Sequence, residues 1–486
     1  MTEKTIYELS QPGRTGVVFP NPDVPTSTLP EGFLREDINL PELSELDVIR
    51  HFTNISKLNY SIDGGFYPLG SCTMKYNPKI NEEAARMAGL AQTHPLQPIV
   101  SIQGNLYIMY QLQEWLQEIS GFHRVCLTPA AGAQGELVGA LIIKKYHQTR
   151  NDTKRRKILI PDSAHGTNPA TSSMSGFDVI PLASDDRGNV DLDVLKAECD
   201  DTLAGLMLTN PNTLGLFEEN VEEVIHLVHE VGGLVYGDGA NLNALLGILR
   251  PGDVGFDIMH FNLHKTFSTP HGGGGPGSGP VGVTEALEPF LPSPIVTIIE
   301  EGDEETPPFF GFYWPEKSIG RMKAFYGHFG MHLRAYTYIA MHGREGLRNI
   351  AEKAVLNANY LMTKVKQHYP LPYDRTCMHE FVVEGSFPDV KDVHALDISK
   401  RLMDYGFHPP TNYFPLIVNE ALMIEPTETE SKQTLDAFAK AMEAIAKEAC
   451  ENPELLHHAP YNTPVRRCDE VKAARELVLC CWMPED

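Results

Sequence analysis

From Leu106 to Phe261 the chain alternates helix-period segments with short apolar runs, and few folds accommodate that pattern. The periodicity predicts a helix over Leu106–Ile119 and a strand at Val125–Leu127. Ala130–Gln134 then turns into a helix over Glu136–His147. Strands follow at Lys157–Ile160 and Asp178–Leu182, a helix at Asp191–Cys199 and a strand at Gly205–Thr209. A helix over Val221–Val231, stopped by Gly232-Gly233, leads to strands at Leu234–Gly237 and Asp257–Phe261. Alternation of this kind implies a largely parallel sheet covered on both faces. Ligands of such sheets bind at the carboxyl ends of the strands.

The flanks read differently. Residues 1–60 are rich in Pro, Glu and Asp, which suggests an extended arm with a short helix around Leu43–Ile55 that lies across a neighbour. Pro and Gly make Tyr67–Lys79 a loop, and a second Gly/Pro tract spans His271–Pro280. A helix over Arg321–His342 opens a second domain containing strands at Glu380–Val383 and Ala421–Ile424, and the tail from Asn452 is loop-rich. With 486 residues, more than one core is expected. The divisions read as 1–80 for arm and active-site loop, 81–330 for a large domain and 331–486 for a small domain with its tail.

A formal charge of −24 argues against nucleic acid and anionic membranes as partners. Met1–Ser10 contains Glu3, Lys4 and Glu8 and no apolar run, so a secretory signal is not expected, and no segment has the length of a membrane span. Cysteines 72, 126, 199, 377, 450, 468, 480 and 481 are scattered without CxxC pairs, which suits reduced thiols and a cytoplasmic location.

The chemistry concentrates where strands end. Asn262-Leu-His-Lys-Thr266 follows the last apolar strand, and the Lys265 amine there can form a Schiff base with a carbonyl cofactor. Most lysines near turns are plain surface lysines, but this one has company. Asp238 closes the preceding strand, where a buried carboxylate would keep the pyridine nitrogen of pyridoxal phosphate protonated. Thr209-Asn-Pro-Asn-Thr213 ends the strand before that, so Asn210 can reach the ring's phenolic oxygen. Asn-Pro turn, Asp, then Lys is the order found in aminotransferase-like enzymes. Ala130-Ala-Gly-Ala-Gln-Gly-Glu136 opens a helix whose free N–H groups suit a phosphate. His165, in His165-Gly-Thr-Asn-Pro-Ala170, follows another strand and could stack on a cofactor face, although a lone histidine is more often structural.

Tyr67–Lys75, Ala130–Glu136, His165–Ala170, Asn262–Gly275 and Ile424–Glu430 together make the chain resemble glycine decarboxylase, the P-protein of the glycine cleavage system, over nearly its whole length. Such proteins occur as one long chain or as two half-length subunits, and this sequence resembles the second, lysine-bearing half. The resemblance implies an α/β fold of the pyridoxal-phosphate fold type I, with a mostly parallel seven-stranded sheet and a smaller C-terminal α/β domain. It implies Lys265 as the Schiff-base lysine, Asp238 as pyridinium partner and His165 as stacking residue. Gly132, Ala133 and Gln134 would hold the phosphate, with His264, Thr266 and Asn241 as further phosphate or ring contacts. Gln134 stands where many relatives have His, which leaves the backbone contact but puts a side-chain role there in doubt.

The implied reaction decarboxylates glycine and passes the aminomethyl group to the lipoyl arm of H-protein. The implied assembly is a heterotetramer with subunit 1, two copies of each. Two other readings stand beside it: a different pyridoxal-phosphate enzyme on the same scaffold, and a non-catalytic supporting half, which an intact Lys265, Asp238 and His165 oppose. Cys72, Cys480 and Cys481 are open as redox-sensitive thiols, though passive cysteines are commoner. Glu425, Glu428 and Glu430 read as a solvated face after a strand, with a partner contact as the other option.

Overall fold

The computed structural model describes residues 3–34, 38–271, 277–388, 390 and 392–479. It divides into two units, residues 1–65 with 460–486, and residues 66–459. In the first, the helix Glu45–Leu58 begins at a Ser44 capping box and Arg14 pairs with Asp47 at 2.7 Å. Val17, Val18, Phe19, Leu29 and Phe33 are exposed along the arm.

The second unit is built on a seven-stranded sheet. Its strands are β1 (Arg124–Cys126), β2 (Lys157–Pro161), β3 (Asp178–Leu182), β4 (Leu203–Thr209), β5 (Leu234–Gly239), β6 (Ile258–Phe261) and β7 (Val281–Val283). The spatial order is β1-β7-β6-β5-β4-β2-β3, with β7 antiparallel to both neighbours and the other pairs parallel. Every residue of β4, β5 and β6 is buried, which is why those segments read as unbroken apolar runs. The mostly parallel sheet expected from the alternation is therefore present. Two apolar clusters flank it, one holding Leu206, Val235 and Phe261, the other Ile142, Met207 and Ile258.

Three boundaries differ from the sequence reading, each for a local reason. The helix predicted from Glu136 starts at Gly132 and runs to Thr149, so the glycine loop is its first turn. A Cβ on Gly135 would lie 2.7 Å from His260 Cβ, and one on Gly139 would overlap the Tyr236 ring. The glycines thus let this helix settle onto β5 and β6. The helix predicted over Arg321–His342 occupies Phe329–Val365, broken by left-handed backbone at Gly343 (φ 60°). Strand β7, only three residues long, was hidden behind the Gly/Pro tract.

A hairpin of β8 (Ile295–Glu300) and β9 (Phe309–Tyr313) follows, unforeseen by the alternation. The C-terminal part carries an antiparallel sheet, β10 (Phe381–Glu384), β12 (Ala421–Ile424) and β11 (Thr411–Asn412), in that spatial order. Its own core packs Leu361, Phe381, Leu422, Phe438 and Ile445. Loop 67–79 contains no helix before Lys79 and pairs Leu69 with Ile424. Among the described residues, no helix is long and apolar enough to cross a membrane.

Candidate active site

Asp238 lies in the last turn of the β5 ladder, opposite Thr209 of β4 and His260 of β6. Its side chain is 1% exposed, and three hydrogen bonds orient it. Oδ2 takes a 2.9 Å bond from His165 Nδ1 and a 3.1 Å bond from Asn168 Nδ2, while Oδ1 accepts from the Ala240 N–H at 2.9 Å. His260 Nε2 stands 3.5 Å from Oδ1. Burial alone would raise this carboxyl, but the imidazoles of His165 and His260 and the Lys265 ammonium outweigh it and hold Asp238 well below the usual range.

Behind Asp238 the order continues inward. Tyr236 Oη meets His260 Nδ1 at 2.5 Å and Asn262 Nδ2 meets His260 Nε2 at 2.6 Å. Burial depresses His260 to about 4, so it is neutral. Glu136, one turn into the glycine-loop helix, accepts from Thr167 Oγ1 and Asn168 Nδ2, both at 2.7 Å. Burial first, and Asp238 second, push its carboxyl up to about 8. Asn168 and Glu136 lay inside the runs His165–Ala170 and Ala130–Glu136 without a role assigned to them, and His260 and Tyr236 were marked only by their closeness in sequence to Lys265 and Asp238.

Lys265 sits in the turn leaving β6, where its N–H and that of Thr266 both donate to Asn262 O. Its charge is felt by Asp238, Glu136, His264, His271 and Cys72, so the strand-end residues of the sequence reading do converge. His165 adds a contact through Nε2 to Ser71 Oγ and lies parallel to the Phe414 ring, 6.1 Å between centroids. His264 turns away toward Ser278, whose N–H it accepts at 3.3 Å, and meets His271 edge-on at 5.2 Å. Burial depresses His264 to about 3 and His271 to about 4.

Whether these residues fit pyridoxal phosphate is answered by polar atoms that lack partners. Asn210 Nδ2, Asn241 Oδ1, Thr266 Oγ1 and Ser278 Oγ are buried without a hydrogen bond. The helix at Gly132 has no side-chain cap, and a Cβ on Gly132 would overlap the Asn262 amide. Gln134 spends its side chain on the Ala130 N–H (2.7 Å) and on Met322 O (3.2 Å), leaving its backbone N–H as the group available to an anion. The set suits a planar, phosphorylated ring. Two larger apolar cavities, about 350 and 470 Å³, are lined by other residues, among them Phe325 and Trp115.

The solvated face predicted at Glu425 and Glu428 is a misreading. Glu425 is fully buried, its Oε2 accepting the Thr73 N–H at 2.9 Å, and Glu428 pairs with the buried Lys75. Glu430 is half-buried. Burial raises the Cys72 thiol above its ordinary range, whereas Cys480 and Cys481 lie outside the described residues, as do 272–276 of the glycine tract.

A probable glycine dehydrogenase (decarboxylating) subunit 2 of Caldanaerobacter subterraneus subsp. tengcongensis is 59% identical over 98% of both chains. The chain belongs to the glycine dehydrogenase (decarboxylating) subunit 2 family. Members from Alkaliphilus oremlandii and Desulforamulus reducens are each 56% identical, over 98% and 100% of both chains. The family model described as glycine dehydrogenase, C-terminal domain, matches residues 350–461. The fold is that of an inhibitor-bound glycine decarboxylase (P-protein), with a TM-score of 0.72 at 22% identity over 86% of this chain and 93% of that one. A cysteine desulfurase from Thermococcus onnurineus superposes with a TM-score of 0.61, over 79% of this chain and 95% of that one, at 17% identity. This chain therefore has the pyridoxal-phosphate fold type I.

Proposed function

We propose that this chain is the lysine-bearing half of a glycine decarboxylase. In this reading it decarboxylates glycine with pyridoxal phosphate and hands the aminomethyl group to the lipoyl arm of H-protein, releasing carbon dioxide. The observation that carries it is the convergence of Lys265 with a buried, ionised Asp238 at the ends of adjacent strands. Family membership supplies glycine as the substrate.

When bound, the cofactor supplies a carbonyl for an amine and a ring that accepts electrons. The Lys265 amine is the one placed to meet that carbonyl. Asp238, kept anionic, would hold a proton on the ring nitrogen, and His165 and Asn168 fix the direction of its carboxylate. The N–H groups of Gly132, Ala133 and Gln134 would bind the phosphate, assisted by Thr266. Asn210 Nδ2, buried without a partner, would donate to the phenolic oxygen. Asn241 and His264 would be ring or phosphate neighbours, and His165 would cover a face of the ring.

The same reading gives the chain a companion, subunit 1, in a heterotetramer of two copies each, with the exposed arm lying across that companion. Lipoylated H-protein is the acceptor, and the setting is the cytoplasm. The residue boundaries 81–330 and 331–486 separate the cofactor-binding part from the smaller part.

Borohydride reduction of the cofactor-loaded protein followed by peptide mapping tests the reading at its centre. The label is expected on Lys265, and Lys265→Ala should abolish it along with carbon dioxide release from glycine. A label on another lysine, or amino transfer to a keto acid in place of decarboxylation, defeats it.

A further inference from the structure

The most unusual feature outside the cofactor residues is a buried knot of two carboxylates and an imidazole. His379, Glu380 and Glu425 are all 0% exposed, on β10's leading edge and just past β12. Both nitrogens of His379 and Oε1 of Glu425 have no hydrogen-bond partner. His379 Nε2 stands 3.8 Å from Glu380 Oε1 and 3.9 Å from Glu425 Oε1. The other carboxylate oxygens are held from outside, Glu380 Oε2 by the Ser71 N–H at 2.6 Å and Glu425 Oε2 by the Thr73 N–H at 2.9 Å.

Two buried carboxylates whose oxygens lie within 4.8 Å of each other cannot both ionise cheaply. The groups facing them make this concrete. Lys265 lowers both, Glu428 opposes Glu425 but is matched by Lys75, and Cys72, Cys377 and His165 are the remaining titratable neighbours. Burial comes first in each case: it drives Glu380 well above the carboxylate range, Glu425 up to about 7 and His379 down to about 3. One lysine ammonium faces two acids, and that ammonium would be lost when Lys265 meets the cofactor carbonyl, so burial leaves the knot holding a proton near neutrality.

The proposed reaction consumes a proton. Glycine's Cα–carboxylate bond breaks and carbon dioxide departs, the electron pair forms a bond from Cα to one sulfur of the acceptor disulfide, and the S–S bond breaks. Its electron pair goes to the second sulfur, which takes up one proton; the disulfide is reduced by two electrons, one lost formally by the carboxylate carbon as it becomes carbon dioxide and one by Cα as it exchanges a bond to carbon for a bond to sulfur. We propose that Glu380 and Glu425, packed beside His379, store that proton and deliver it to the sulfur released when the disulfide opens. This rests on the function proposed above.

The test follows carbon dioxide release from glycine by the holoenzyme with its companion chain, using lipoamide as the acceptor disulfide, across pH. The wild-type rate should fall as pH rises through about 7, and Glu425→Gln and Glu380→Gln should each lose that limb and roughly 10²-fold in rate. Borohydride labelling of Lys265 should persist in both variants, which shows that the site is folded and loaded. Wild-type protein should also show a protonated-carboxyl infrared band that vanishes over the same pH range, a reading that needs no variant. Retention of the wild-type limb in both variants, or absence of the band, overturns the proposal alone. So does a tightly bound divalent metal at one per chain, since His379 and the two glutamates could ligate it. A wild-type holoenzyme that releases no carbon dioxide removes the functional reading, and the proton-delivery role falls with it.

Discussion

Lys75 and Glu428 form an ion pair at 2.9 Å whose side chains are 1% and 6% exposed. The ammonium also donates to Asn243 Oδ1 at 2.9 Å and Tyr338 Oη at 3.1 Å, and Asn243 Nδ2 reaches the other Glu428 oxygen at 3.2 Å. The pair fastens loop 67–79 to the segment following β12. Removing one partner strands a buried charge, so Lys75→Met should cost about 3–5 kcal/mol in urea denaturation. Lys75→Met combined with Glu428→Leu should recover most of the loss. Equal damage from the single and double variants would show that packing, not charge, sets the cost.

Asp238→Asn keeps the shape of the site and removes its permanent anion. Cofactor binding should survive while glycine turnover falls by ~10²-fold or more, about 2.7 kcal/mol of barrier. Steady-state kinetics of the holoenzyme measure it, and a near-normal rate would mean that another group handles the ring nitrogen.

Glu136 offers a pH-dependent stability signal. Its folded carboxyl is raised from 4.5 to about 8, so the stability tied to its neutral form is complete below 4.5 and is lost as pH climbs to about 8. The loss runs at up to ~1.4 kcal/mol per pH unit. Urea midpoints of cofactor-free protein taken across this interval should decline, and Glu136→Gln, which cannot ionise, should flatten the decline. An unchanged slope in the variant would assign the effect elsewhere.

Expressed alone, the chain should show little glycine-dependent carbon dioxide exchange with lipoylated H-protein, and addition of its companion subunit should restore it. Light scattering of the restored sample should give the mass of a heterotetramer. Full activity from the lone chain would rule the requirement out.

How far the molecule could be read in advance depended on whether the signal was local. β4, β5 and β6 are sandwiched between apolar layers, so their runs stood out, and the residues leaving them, Asn210, Asp238 and Lys265, followed directly. β7 and the β8–β9 hairpin are antiparallel additions without α-helices between them, so alternation could not announce them. Glu425 was misread because a charged residue after a strand is normally solvated, and its burial arises from loop 67–79, more than three hundred residues earlier in the chain. His379 and Glu380 belong to the same class. They become chemical groups only when the C-terminal sheet is set against Lys265.

Loop 71–73 is anchored through main-chain amides, Ser71 to Glu380 and Thr73 to Glu425, and both residues hold positive φ, 61° and 47°. These two amide anchors do not depend on what side chains occupy positions 71 and 73, although the Ser71 hydroxyl adds its contact with His165, and glycine there would adopt the backbone more readily than serine or threonine. The dependence runs the other way: each glutamate is indispensable as an acceptor. A drifting lineage could rewrite the letters of this loop and keep its place, while a change at Glu380 or Glu425 that removed the acceptor oxygen would release it.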